Sequence, residues 1–224
     1  MILSYHSIDA NGLLSTTPPE EFERQMRYIK EKKYKVVPLS RMCLMLERGE
    51  DSKGCIALTF DNGYFDFFKN AFPVLKRYNF PATVFLVTGT LGQGVHPTKS
   101  KVALAVMSEG DIRRASTANS LIEFMPQSKT SVDLSKLPFA EAVKEINGSR
   151  VALESLTNKP ADILGYPKGR YTPEIVEYVR TGGQWLGAVT KEARYIQRGD
   201  DPFKLPRIQI DSSVTFAAFK KMVR

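Results

Sequence analysis

Strand and helix signals alternate along this chain almost to its last residue, and no other feature restricts its fold so strongly. Ile2 to Tyr5 reads as a strand. Pro18-Pro19-Glu20-Glu21 then opens a helix with acidic residues in its first turn, and Phe22, Met26 and Ile29 form its core stripe. Lys35 to Leu39 predicts a short strand, with Ser40 capping the next helix as far as Gly49. Ile56 to Phe60 is a strand, followed by Phe65, Phe68, Phe72 and Leu75 at helical spacing. Pro73 begins a second helical piece there or kinks the first. Ala82 to Val87, Leu121 to Phe124, Ile163 to Tyr166, Trp185 to Val189 and Pro206 to Ile210 read as further strands. Helices are predicted from Ser108 to Ala115, around Phe139 to Asn158, from Pro173 to Arg180 and from Phe216 to Val223, and Thr88 to Lys101 as a loop. Such alternation predicts an α/β fold with a parallel sheet and outer helices. Periodicity alone leaves a closed barrel and a doubly wound sheet equally open.

With 224 residues, 42% of them apolar, and no linker or repeat, the expectation is one domain over residues 1–224. No apolar run approaches the ~20 residues of a membrane span. Met1 to His6 has no basic segment ahead of its apolar residues, so no secretory leader is read there, and a cytoplasmic location is expected. Cys43 and Cys55 are expected to be reduced, buried thiols. The net charge of +8 is spread mainly along helices. No zinc-finger spacing or aromatic-basic motif accompanies it, so nucleic acid is not expected as a partner, while an anionic sugar or sugar nucleotide stays open.

The chemistry concentrates in Leu58-Thr59-Phe60-Asp61-Asn62-Gly63-Tyr64. An apolar run delivers two polar residues and then a glycine, as when a buried parallel strand presents a site at its C-terminal edge. Alternation sends the Asp61 and Asn62 side chains in different directions, and Gly63 supplies the turn.

This stretch resembles the Thr-Phe-Asp-Asp-Gly signature of the polysaccharide deacetylases, the NodB homology domain, with one letter changed. Four further segments resemble that family in the same order. They are Ser4-Tyr5-His6, Pro81-Ala82-Thr83-Val84-Phe85, Leu164 to Tyr171 and Leu205-Pro206-Arg207-Ile208. The resemblance implies an irregular (β/α) barrel with about seven parallel strands and a sugar cleft at the strand ends.

In active members of the family an Asp and two His hold a divalent metal such as zinc. The Asp corresponds to Asn62 here. Asp133-Leu134 sets the register of the His-containing segment, placing Gln127 and Ser131 at the two His positions with the four-residue spacing intact. Neutral oxygens are poor zinc ligands beside imidazole and carboxylate, so the expectation is a degenerate site with no metal cofactor. Asp61 matches the family's catalytic base. The late acid His of the family has no counterpart between Leu205 and Asp211.

His6 ends the first strand and is either a substrate contact or a structural hydrogen-bonder. Tyr166, Lys168, Arg170 and Tyr171 fall in the Tyr-Pro-Tyr-Gly-Arg-Tyr-like segment and are the other substrate-binding candidates, Lys168 being otherwise a solvated lysine. Trp185 is a sugar platform or core, and His96 a rim or plain surface residue. No Gly-x-Ser-x-Gly elbow, phosphate loop or dinucleotide fingerprint offers a replacement site. The function read from the sequence is a deacetylase-like protein of carbohydrate metabolism with a cleft for an N-acetylated sugar, lacking standard metal-dependent deacetylation. The alternatives are an active N-deacetylase with an atypical site and a non-catalytic scaffold partner.

Overall fold

A computed structural model describes residues 1–93, 95–96, 102–118 and 121–223. Seven parallel strands carry the barrel: β1 (Ile2–Tyr5), β2 (Cys55–Phe60), β3 (Ala82–Leu86), β4 (Ile122–Pro126), β5 (Ile163–Gly165), β6 (Gly187–Val189) and β7 (Ile208–Gln209). Their hydrogen-bonded order is β7-β1-β2-β3-β4, with β5-β6 as a separate parallel pair. A parallel bridge from Val189 to Leu205 ties β6 to the segment leading into β7. The short strand Lys35–Val36 pairs beside the start of β2. The gap in pairing between β4 and β5 makes the barrel irregular, as the family resemblance implied.

Side-chain alternation explains both the core and the site. Ile2, Ala57, Phe85, Met125, Ile163 and Val189 contribute one residue from each of six strands to a single buried cluster inside the barrel. The opposite parity, including Leu3, Tyr5, Leu58, Phe60, Val84 and Phe124, faces outward to a second cluster. There α1 (Pro19–Glu31) lays Phe22, Met26 and Ile29 against the sheet. A third cluster joins Leu164 and Tyr166 to α5 (Phe139–Thr157) and α6 (Pro173–Thr181). Between these helices and α1 the chain forms α2 (Leu39–Glu47), α3 (Phe72–Tyr78) and α4 (Glu109–Ala118), and α7 (Phe216–Met222) closes it. Gly165 is required by the interior: a Cβ there would lie 2.9 Å from the Phe85 ring.

Several expectations change. The strand predicted over Lys35 to Leu39 ends at Val36, and α2 starts at Leu39 behind Pro38, whose extended ψ of 149° breaks the strand. Ser40 therefore does not cap α2; its hydroxyl donates to Glu123 instead. Behind β2 a π-helical turn, Phe67–Ala71, precedes α3, so Pro73 begins a second helical piece. Ser108 accepts from the Asp111 N–H at 3.2 Å, a cap for α4. The expected loop from Thr88 to Lys101 includes a turn at Thr88–Thr90 and a short strand, Val95–His96, antiparallel to Leu104–Ala105. Gly94 and the residues from 97 to 101 lie outside the described residues, as does the His96 side chain. Cys43 and Cys55 are free and buried. Among the described residues no helix is long and apolar enough to cross a membrane.

Candidate active site at the C-terminal strand ends

The inward parity of each strand continues past its end, and that continuation assembles the site. Ile2, Ser4 and His6 share one face of β1 and its extension; Ala57, Thr59 and Asp61 share one face of β2. Met125 is followed by Gln127, Val189 by Lys191 and Leu205 by Arg207, each two residues on. His6, Asp61, Gln127 and Lys191 thus emerge at the same end of the barrel, and Arg207, one residue ahead of β7, reaches Asp61 with its side chain.

Asp61 is 1% exposed. Arg207, also buried, grips it with both arms of its guanidinium, Nη1 to Oδ1 at 2.7 Å and Nη2 to Oδ2 at 3.0 Å. The remaining Arg207 contacts fix that fork. Nε donates to the Thr190 carbonyl at 2.9 Å, Nη1 also donates to Thr59 Oγ1 at 3.1 Å, and the guanidinium lies 5.4 Å from the Phe85 ring centre. Burial favours the neutral carboxyl, but the Arg207 charge, then the neighbouring His6, outweigh it and hold the Asp61 pKa down at about 2.

His6 is 9% exposed, with Nε2 3.7 Å from Asp61 Oδ2 and 3.1 Å from Lys191 Nζ. Burial lowers its pKa to about 4, against the attraction of Asp61 and with help from Lys191 and Arg207. The ring is neutral at pH 7. A lysine ammonium only donates, so Nε2 accepts and the network assigns the proton to Nδ1. Nδ1 is buried and has no hydrogen-bond partner among the described residues. Lys191 is exposed as a residue, yet the burial of its ammonium, with Arg207 close by, depresses its pKa despite Asp61.

Asn62 and Gln127, two of the three positions that the family resemblance implies for a metal, lie beside this cluster. Asn62 takes a left-handed φ of 72°; its backbone N–H donates to Gln127 Oε1 at 3.2 Å and its amide nitrogen to the Tyr64 hydroxyl at 3.2 Å. Gln127 is 3% exposed. Ser131, with φ 58°, donates its N–H to Ser128 Oγ at 3.0 Å within the same loop. The donor set is therefore two carboxamides and a hydroxyl, with the Gln127 oxygen already engaged. Asp61, the neighbour of Asn62 in sequence, is held by Arg207. These residues do not fit a zinc ion, and among the described residues no group of three His, Cys, Asp or Glu side chains is placed to hold a metal.

The other candidates divide by parity. Tyr166 continues the outward face of β5, is 1% exposed and donates its hydroxyl to the Phe203 carbonyl at 3.1 Å. It supports the barrel wall, which corrects the expectation that its side chain is open to a substrate. Tyr171, half-buried, packs against it with ring centres 4.7 Å apart and the planes tilted by 39°. Arg170 is exposed at the rim, 3.6 Å from Asp133. Lys168 projects from a turn with φ 58° and is exposed. Trp185 precedes β6 at the opposite end of the barrel and is buried with Ala188 and Val179, so the core reading holds.

Arg207 and Lys191 escaped the sequence reading. An arginine inside Leu-Pro-Arg-Ile was a signal for a buried acid partner; Lys191 had none beyond its parity with Val189. Two cavities, of about 730 and 310 Å³, open beside Cys55 and Ile122 where their strands begin, at the other end from Asp61.

A family model described as polysaccharide deacetylase matches residues 48–184, more than half of the chain. The chain belongs to that family. Among similar polysaccharide deacetylase relatives is the YxkH protein of Bacillus subtilis (strain 168), 28% identical over 97% of this chain and 74% of its own length. Another is the poly-beta-1,6-N-acetyl-D-glucosamine N-deacetylase of Staphylococcus aureus (strain MSSA476), 25% identical over 91% of this chain and 69% of that protein. The fold matches the Streptococcus pyogenes deacetylase PplD, solved in complex with acetate, with a TM-score of 0.85 over 100% of this chain and 97% of that one at 22% identity. The deacetylase fold expected from the motifs is the fold observed.

Proposed function

We propose that this polysaccharide deacetylase-family chain keeps a cleft for an N-acetylated sugar and does not carry out standard metal-dependent deacetylation. One observation carries the reading. The positions that would hold the metal present Asn62, Gln127 and Ser131, and Asn62 N–H already occupies the Gln127 oxygen. The polar cluster at the same strand ends is nonetheless complete, with Asp61, Arg207, His6 and Lys191 in contact.

The energetics favour binding over hydrolysis. A metal lowers the pKa of bound water from ~15.7 to ~7 and polarises a carbonyl at the same time. Asp61, at about 2, is a weaker base than an ordinary carboxylate near ~4 and does not deprotonate free water usefully. An acetamido sugar offers a carbonyl, an N–H and hydroxyls to Asn62, Gln127 and Lys191, while Tyr171 supplies an apolar face. Affinity from such contacts falls between millimolar and micromolar, about −4 to −8 kcal/mol.

The observation favouring a working hydrolase is the same cluster, since a carboxylate, an imidazole and a cation stand together as acid-base groups. Two measurements on one preparation decide between them: calorimetric titration with N-acetylglucosamine oligomers, and acetate release with and without added zinc. Binding without acetate release supports the proposal. Acetate release that rises with zinc overturns it.

A further inference from the structure

The site's charges do not balance. Arg207 is matched by Asp61, whereas Lys191, which shares the field of that same carboxylate, hydrogen-bonds to a neutral imidazole nitrogen. Two neighbouring strand ends add cations. Lys168 lies in the turn after β5, which touches the Lys191 backbone so closely that a Cβ on Gly169 would sit 2.6 Å from Lys191 N. Lys129 lies after β4, its carbonyl accepting from the Gly89 N–H at 2.8 Å. Among the described residues none of Lys129, Lys168 and Lys191 forms an ion pair, and nearby carboxylates are engaged elsewhere. Asp133 lies against Arg170 and accepts from Ser135, Glu192 accepts from Arg194, and Glu145 accepts from the Thr130 N–H. The ends of β4, β5 and β6 thus form a cationic arc opening onto a nearly sealed Asp61–His6 pair.

We propose that the cleft selects an acetamido-sugar chain bearing an anionic oxygen group, carboxylate or phosphate, and that Lys191 is the residue that reads it. An anionic oxygen adds a Coulombic attraction to the ammonium that the neutral imidazole lacks, so such a group displaces the imidazole as the Lys191 partner. Moving the ammonium off His6 also uncovers the Asp61–His6 pair, coupling anion recognition to opening of the site. This rests on the proposal that the cleft binds an N-acetylated sugar.

The test compares charged and neutral probes of equal length by calorimetry at low salt. The carboxylate arm sets a hyaluronan tetrasaccharide against tetra-N-acetylchitotetraose. The phosphate arm sets N-acetylglucosamine 6-phosphate against N-acetylglucosamine. The expectation is about ten-fold tighter binding of the charged probe in at least one arm, a preference that shrinks as salt is raised. Lys191→Ala should remove most of that preference, bringing the charged probe down to the affinity of the neutral one, while Lys191→Arg keeps it. Equal binding of charged and neutral probes, or a preference unchanged in Lys191→Ala, overturns the assignment to Lys191 and leaves the sugar cleft standing. Failure of every probe to bind overturns both.

Discussion

Asp61 and Arg207 set the terms for every other residue in the site. Both are buried, so removing one partner strands a charge. Asp61→Ala should cost ~3–5 kcal/mol in urea unfolding, and adding Arg207→Met should recover part of that loss. A double variant weaker than both single variants combined would contradict the pairing. His6 makes a pH prediction. Its folded pKa is lowered to about 4 from the ordinary 6.5, so the unfolded chain binds the extra proton first. Stability from this group is complete above pH 6.5 and is lost as pH falls from there toward 4. Asp61, lowered from 3.8 to about 2, extends the loss below pH 4. The chain has only two histidines, so NMR titration separates them. A His6 midpoint near 4 is expected, and a midpoint at or above 6.5 would contradict the buried neutral ring. At this scale the sequence was read unevenly. Asp61 stood out because a carboxylate ends an apolar strand. Arg207 did not, because its partner lies 146 positions away and only the pairing of β7 and β2 on either side of β1 brings them together.

At the scale of elements, strand parity is what turns five separate segments into one site. His6, Asp61, Gln127, Lys191 and Arg207 each continue an inward face, whereas Tyr166 continues an outward one. That difference was legible in Ile163-Leu164-Gly165-Tyr166, since Gly165 and Tyr166 must face opposite sides. The family motif drew attention to the aromatic letter and away from its parity. The start of α2 shows the opposite failure: Ser40 looks like a cap, but Pro38 already fixes the turn and frees Ser40 for Glu123. The barrel interior offers its own test. Gly165→Ala places a methyl group 2.9 Å from the Phe85 ring, which lies beneath Arg207. Overpacking of this kind costs ~1–3 kcal/mol. For a chain of this size that is a fall in melting temperature of about 2–4 °C per kcal/mol. An unchanged melting temperature would show that Phe85 has room to turn.

For the whole molecule, the alternation of strand and helix signals made the α/β class readable, and the motif order made it a deacetylase barrel. Periodicity could not show the break between β4 and β5, because hydrogen-bond closure depends on strand lengths and tilts that no local pattern encodes. Nor could it show that the buried charges would pair into one cluster. The loops around Asn62, Gln127 and Ser131 turn on three left-handed residues, Asn62, Ser128 and Ser131. The central claim is that this geometry survives while the donors for zinc do not. The most direct measurement is calorimetric zinc titration of the wild type beside the triple variant Asn62→Asp, Gln127→His, Ser131→His. The account predicts no saturable zinc binding at micromolar concentrations by the wild type and about one equivalent bound by the variant. Stoichiometric zinc in the wild type, at the same affinity as the variant, would contradict it.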